Sequence, residues 1–402
     1  MEENKKNKIP NVPTLRFNSF TSSYVRTKLS RHLKTNPERN KNKFFSKYDV
    51  LSVSGEIGVV NQIKHLGRSY AGESVAPYHI LKVGQIVYTK SPLAESPYGI
   101  IKLNRFEDGI VSTLYAVYDV LNNSDGKYIE HYFSYKPRLN NYLRPIVRIG
   151  AKHDMKIGND EVLDNYVYFP EKSEQEKIAQ FLDFLDERIS TQNKIIEKYK
   201  SLIKPLFETL NSNTNINIAI KELGPYVSAD LLSWNDMNHV GEPAIIYGQL
   251  FTDYKYIIEK VISKTERKIK TKTKDNDLLF PSSTTVDSLS LIAPSSIKIP
   301  GVIIGGDMFK IELDKEKFDS DYISFLINCS LNKKIAKYAQ GSTIIHLHYE
   351  DIKLFQMKIC GIEKQKEISK QMKVLLEKIS VERSIMELLL KQKKYFLANL
   401  FI

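Results

Sequence analysis

Apolar positions recur every three or four residues along two long stretches of the chain. Over 173–210 the stripe is Ile178, Leu182, Leu185, Ile189, Gln192, Ile196, Tyr199, Ile203, Leu206 and Leu210. Over 363–400 it is Ile368, Met372, Leu375, Ile379, Glu382, Met386, Leu389, Lys393, Phe396 and Leu400. Steps of four and three in alternation make a heptad seam and predict two helices, each ~50 Å long at 1.5 Å per residue. The stretches align without a gap: Gln175 meets Gln365, Leu185 meets Leu375, and Leu210 meets Leu400. Each seam is broken by a polar residue at the same step, Gln192 in one copy and Glu382 in the other. One amphipathic helix on a core explains one stripe; two copies with a shared break favour a helix pair. Pro205 predicts a kink or fraying in the last turns of the first copy.

The repetition continues upstream. The string VGQIVYTKS, 83–91, resembles DNDLLFPSS, 275–283, and STLYAVYDV, 112–120, resembles GDMFKIEL, 306–313. Alternating apolar positions predict strands at 86–88, 110–120 and 302–313. Residues 128–143 and 322–338 read as helices. The expected class is therefore α+β: two similar mixed α/β domains separated by two long helices, related by a pseudo-twofold repeat. The expected bounds are 1–172, 173–210, 211–362 and 363–402. The polar stretch 211–218 makes a natural domain boundary, and 1–10 is expected to be disordered.

Composition narrows the function. A net charge of +12 suits a polyanionic partner, because Lys and Arg neutralise phosphates and release counterions. The competing reading is a generically basic protein. Cys329 and Cys360 are too few for a disulfide framework and lack metal-ligand spacing. No apolar run is long enough to cross a membrane, so a soluble, cytoplasmic protein is expected. No phosphate-binding G-x-x-x-x-G-K-[ST] string is present, nor a dinucleotide-binding G-x-G-x-x-G. No Asn/Asp-Pro-Pro-Tyr methyltransferase run or nuclease pattern occurs either. No catalytic residue and no metal site are expected. His346 and His348, two apart, lack further ligands in a recognisable spacing.

The candidate binding residues lie on strands and loops. The run 264–274 holds six cations and one anion. Lys268, Lys270, Lys272 and Lys274 alternate, so a strand would put all four on one face as a phosphate track; a solvated lysine-protected edge is the other reading. Gly341, Ser342 and Thr343, with His346, place small and hydroxyl groups on a loop. Arg144, Arg148, Lys152 and His153 flank the corresponding Gly150. The matching ends of the upstream strings add Lys90 and Ser91 in one copy, and Ser283, with Thr284 directly after it, in the other.

Several strings resemble the specificity subunits of type I restriction–modification systems. Val12-Pro13-Thr14-Leu15-Arg16-Phe17 is similar to the family's Pro-x-Leu-Arg-Phe opening. The segment Ser173-Glu174-Gln175-Glu176-Lys177-Ile178-Ala179, continuing to Leu185-Asp186, is similar to its helix-opening signature. Further likeness lies at 277–285 and 339–343, so the resemblance covers nearly the whole chain. It implies two target-recognition domains, each reading half of a bipartite double-stranded DNA site, and two conserved helices packed antiparallel. It further implies two methyltransferase (M) subunits and restriction/translocase (R) subunits as partners. S-adenosylmethionine, ATP and Mg2+ belong to those partners, and no cofactor belongs to this chain. The departures are Gly150-Ala151-Lys152 against Gly341-Ser342-Thr343, and Glu363-Lys364-Gln365 where Glu-Gln is expected. The alternatives are a helical adaptor that binds no DNA, and a methyltransferase or nuclease whose motifs have drifted.

Overall fold

The computed structural model describes residues 11–72, 74–93, 95–149, 155–212 and 214–402, with the backbone alone at 149. Residues 1–10, on which disorder was expected, lie outside them. The chain divides into two compact units: Met1–Gln192 with Ile385–Ile402, and Asn193–Ser384. The division falls inside both long helices, Lys172–Leu210 and Ile362–Asn399, rather than at the polar stretch 211–218. The reason is packing, since each half-helix buries its seam against the domain beside it.

The two units repeat one plan. In the first, the strands Leu33–Asn36, Tyr115–Val120, Ile86–Thr89 and Ile101–Leu103 form an antiparallel sheet in that order. In the second, Tyr226–Ser228, Met308–Glu312, Asp277–Pro281, Ser295–Ile297 and Ile257–Ile258 form a five-stranded sheet. Val87 lies opposite Val117 in one, and Leu279 opposite Lys310 in the other. In each unit the first strand pairs with the strand that precedes a long helix: Val25–Lys28 with Tyr166–Phe169, and Ile216–Ala219 with Gln356–Ile359.

The expected strands and helices are shorter than their apolar runs. The run 110–120 splits into Gly109–Val111 and Tyr115–Val120, and 302–313 splits at Gly306, whose φ is +81°. The helix over 128–143 becomes Gly126–Ser134 and Lys136–Leu143. Tyr135 between them is extended and Pro137 follows within the next turn, which suits a fresh helix start. In the second unit the matching run begins as Ser320–Leu326 and passes through a π turn at Ile327–Leu331. Asp125 and Asp319 cap the first helix of each pair, Asp125 accepting from the Tyr128 amide at 2.7 Å and Asp319 from the Asp321 amide at 2.9 Å.

The aligned glutamines of the repeat perform one task twice. Gln175 Oε1 accepts from the Asp125 amide at 3.1 Å while its Nε2 donates to the Pro170 carbonyl at 3.0 Å. Gln365 Oε1 accepts from the Asp319 amide at 3.0 Å while its Nε2 donates to the Cys360 carbonyl at 2.7 Å. Each amide ties the start of a long helix to the cap of the domain helix, which explains a buried polar residue at the same step of both copies.

Seam residues line both cores. In the first unit Ile178 and Leu182 pack with Leu397, Leu400 and Phe401. Phe181 meets Phe396 edge-on at 4.8 Å and Lys393 pairs with Asp186. Later residues of one helix meet earlier residues of the other, so the pair runs antiparallel there. In the second unit Ile203 and Phe207 share a core with Ile368, Met372 and Ile379. Leu185 and Ile196 are buried; Ile189, Leu375 and Met386 are half-buried; the polar breaks Gln192 and Glu382 are buried as well. The helix does not end at Pro205 but continues to Leu210. Full burial of Phe207, worth about 2–3 kcal/mol, offsets much of the cost of the proline.

Two histidines of the first unit are buried where protonation is disfavoured. His32 Nδ1 lies 2.7 Å from the Ser124 hydroxyl, and His79 is 2% exposed. Burial pushes each pKa down to about 4, against ~6.5 in the unfolded chain. The unfolded chain therefore binds more protons between these values, and stability present above pH 6.5 is lost as pH falls toward 4. By linkage each histidine costs the first unit about 2 kcal/mol at pH 5 relative to pH 7.5. Urea midpoints at the two pH values measure this. His32→Gln should flatten the dependence by about half, and a profile unchanged by the substitution would show that the His32 ring does not resist protonation.

Candidate nucleic-acid interface

In the second unit, the strand Ser283–Thr284 pairs antiparallel with Ile345–His346, placing Ser283 opposite His346. Two backbone bonds between Gln340 and His346, at 2.9 and 2.7 Å, close a loop whose tip carries Ser342 and Thr343. Gly341 holds φ +120°, and a Cβ there would come 2.0 Å from the Ile344 carbonyl oxygen, so the turn requires glycine. Ser342 and Thr343 are exposed and His346 is half-exposed. The His346 and His348 rings lie parallel with centroids 5.9 Å apart, and His346 Nδ1 is 3.9 Å from Asp307. Among the described residues no three His, Cys, Asp or Glu side chains group as metal ligands.

Ser283 and Thr284 correct their expected role. They are 5% and 9% exposed, and the Thr284 hydroxyl already accepts from the Val286 amide at 3.3 Å. Lys90 is corrected likewise. Its ammonium donates to the Ile157 carbonyl at 2.8 Å and to Asn159 Oδ1 at 2.7 Å, and burial lowers its pKa. It anchors the segment before the long helix instead of facing outward. Ser91 is half-buried beside it, whereas Arg144 and Arg148 are exposed. Lys152 and His153 lie outside the described residues.

The lysine run is not one strand. Only Lys264–Thr265 is regular, and Lys272 forms a single bridge to Ile303. The alternation survives all the same: Ile269 packs on a small core and Thr273 is buried, while Lys268, Lys270 and Lys274 are exposed. Lys272 pairs with Glu242, and Lys274 lies 2.6 Å from Glu312. Lys264, Lys268 and Lys270 have no ion-pair partner among the described residues, whereas Arg267, Lys272 and Lys274 each face a carboxylate.

The first unit holds a second basic segment, 39–47, with four cations in nine residues. Its signal was present in the sequence as cation density, with Arg39, Lys41 and Lys43 at alternate positions. Arg39, Lys41, Lys43 and Lys47 are all exposed. The fully buried Asn40 shapes the segment, donating to the Phe45 carbonyl at 2.8 Å and accepting from the Phe45 amide at 3.1 Å.

No protein-family model matches this sequence, and no curated protein does. Solved structures match its fold. One is a chain from a structure of complex assembly and conformational transition in the type I R-M system. It matches with a TM-score of 0.57 and 10% identity, over 93% of this chain and 96% of that one. Another is the type I restriction-modification system S subunit from M. genitalium, with a TM-score of 0.56 and 14% identity, over 97% of this chain and 99% of that one. The chain has the fold of a type I S subunit over nearly its whole length.

Proposed function

We propose that this chain is the DNA-specificity subunit of a type I restriction–modification complex. Each unit reads one half of a bipartite site, and the long helices carry two methyltransferase subunits, to which restriction/translocase subunits add. The duplication carries this reading: one recognition-sized domain occurs twice, each on its own half of the helix pair, in the fold of a solved S subunit. Exposed cations on both units suit phosphates. The chain supplies no catalytic group, and adenine methylation, ATP hydrolysis and cleavage belong to partners that hold S-adenosylmethionine, ATP and Mg2+.

Co-expression with the cognate methyltransferase subunit, followed by genome-wide mapping of methylated adenine, tests the reading. One bipartite motif is expected. A complex that assembles but neither methylates nor binds duplex DNA would make the chain a helical adaptor. The pairing pattern also divides the lysine run. Lys268→Ala with Lys270→Ala should lower the slope of log K against log salt by about 2, near 0.9 for each lost phosphate contact. Lys272→Ala with Lys274→Ala should change it by less than about 1, because those ammonium groups already face carboxylates. Equal effects of the two pairs would show that the ion pairs open on DNA.

A further inference from the structure

Both units contain the same small turn, at the same place between the first strand of the main sheet and the next strand. In the first unit it is Lys47–Asp49 after Ser46, and in the second Trp234–Asp236 after Ser233. The Ser46 amide and hydroxyl both donate to Asp49 Oδ2 at 2.8 Å, and the Ser233 amide and hydroxyl both donate to Asp236 Oδ2 at 2.8 Å. In this Ser-x-x-Asp lock the aspartate reaches back to the residue before the turn, as the acidic partner of a capping box does. It fixes the backbone of a turn that buries almost none of its side chains.

Each turn projects an aromatic ring into solvent, Tyr48 at 64% exposure and Trp234 at 57%. Both rings are more than half exposed, and the Trp234 ring lies beside Gly248, 3.5 Å from where a Cβ would stand. A large apolar neighbour is exposed beside each, Phe44 at 78% and Leu231 at 89%. Apolar surface held out on a rigid turn in two units marks a contact surface. The cations name the partner. The first turn is flanked by exposed Lys41, Lys43 and Lys47. The second is bound to the basic run: the Thr265 hydroxyl donates to the Asp236 carbonyl at 2.7 Å, and Arg267 Nε lies 3.8 Å from Asp236 Oδ1. Exposed Lys268 and Lys270 follow directly. A ring ringed by cations is complementary to a polyanion with apolar edges, and a DNA groove offers both.

We infer that the Ser-x-x-Asp turn of each unit is a DNA-reading element, in which Tyr48 and Trp234 rest against sugar and base edges while the flanking lysines hold phosphates. This rests on the DNA-reading function proposed above and assigns it to residues. Ring contact at a base edge adds sequence preference that phosphate contacts alone do not supply.

Trp234 is the only tryptophan of the chain, so 5-fluorotryptophan placed in this chain alone yields one fluorine resonance. The labelled chain is assembled with unlabelled methyltransferase subunits and titrated with a duplex carrying the mapped site. The resonance should shift or broaden on DNA. Trp234→Ala and Tyr48→Ala should each weaken duplex binding on the order of 10-fold, the size of one aromatic contact. Trp234→Phe and Tyr48→Phe should retain most of it, with unchanged melting in all four variants. A resonance that stays still while the complex binds the duplex overturns the inference and leaves the functional reading intact. A resonance that moves with methyltransferase subunits but not with DNA assigns the ring to protein docking and also overturns it. A complex that binds no duplex at all removes the functional reading and the inference together.

Discussion

Replacing Lys310 with Met lowers the stability of the second unit by about 3–5 kcal/mol at neutral pH, the cost of leaving a buried charge without its partner. The Lys310 ammonium is 2% exposed and uses all three donors. It donates to Asp277 Oδ2 at 2.8 Å and to the Lys272 carbonyl at 2.9 Å, and it lies 2.8 Å from Glu312 Oε1. Met keeps the apolar stem and removes the charge. Asp277 is then left 1% exposed, with Oδ1 already unpartnered and the Lys274 amide its remaining donor at 2.8 Å.

Burial already pushes the Asp277 carboxyl up despite the Lys310 ammonium. Without that ammonium it rises further above the unfolded value. A group raised in this way favours the fold below its unfolded pKa, and that stability is lost as pH rises through the folded pKa. The deficit of Lys310→Met should therefore shrink as pH is lowered toward 4. Urea unfolding across pH 4–8 measures this, and a deficit that is small or independent of pH would show that the triad is solvated in solution. The first unit supplies the rescue. By the aligned strings and the strand register, Val117 stands where Lys310 does and Gln85 where Asp277 does, and Gln85 Nε2 donates to Asp119 at 2.7 Å. Asp277→Gln combined with Lys310→Met should recover most of the lost stability.

The second large effect lies in the first unit. Arg16→Ala should cost about 3–5 kcal/mol, since Glu174 is fully buried and Arg16 grips it with two bonds, Nε at 2.8 Å and Nη2 at 2.6 Å. The single Tyr24 hydroxyl proton is shared between Glu174 Oε1 and the Leu400 carbonyl, each at 3.3 Å. The same segment is tied to the end of the second long helix, where the Leu15 amide donates to the Asn399 carbonyl at 2.9 Å and the Tyr24 hydroxyl to the Leu400 carbonyl at 3.3 Å. The loss should appear as faster amide exchange over 12–24 and at the C-terminal turns. Arg16→Lys keeps the charge but loses the fork, and should cost about half as much. If exchange accelerates uniformly through the unit, the ion pair belongs to the whole core and does not act as a local clasp.

The same pair shows what a sequence can and cannot contain. Arg16 and Glu174 each stood in a recognisable string, but that the strings meet is a tertiary fact, across 158 residues of chain. The long helices, their seam, their duplication and the shared polar break were legible because helical burial has a period of 3.6 residues and is written locally. The doubled domain order and the cationic charge were legible for the same reason, being sums over neighbours in the chain. Packing alone decided that Ser283, Thr284 and Lys90 turn inward, that Lys272 and Lys274 face carboxylates, and that Lys310 is buried. Strand register chooses which side chains meet, and a one-residue slip of Met308–Glu312 would carry Lys310 to the other face of its sheet. Pro205 stays helical for a like reason, because the burial of Phe207 offsets much of a local preference. The place where the units divide, inside each long helix, was likewise set by which half-helix finds which core, a choice that no local pattern records.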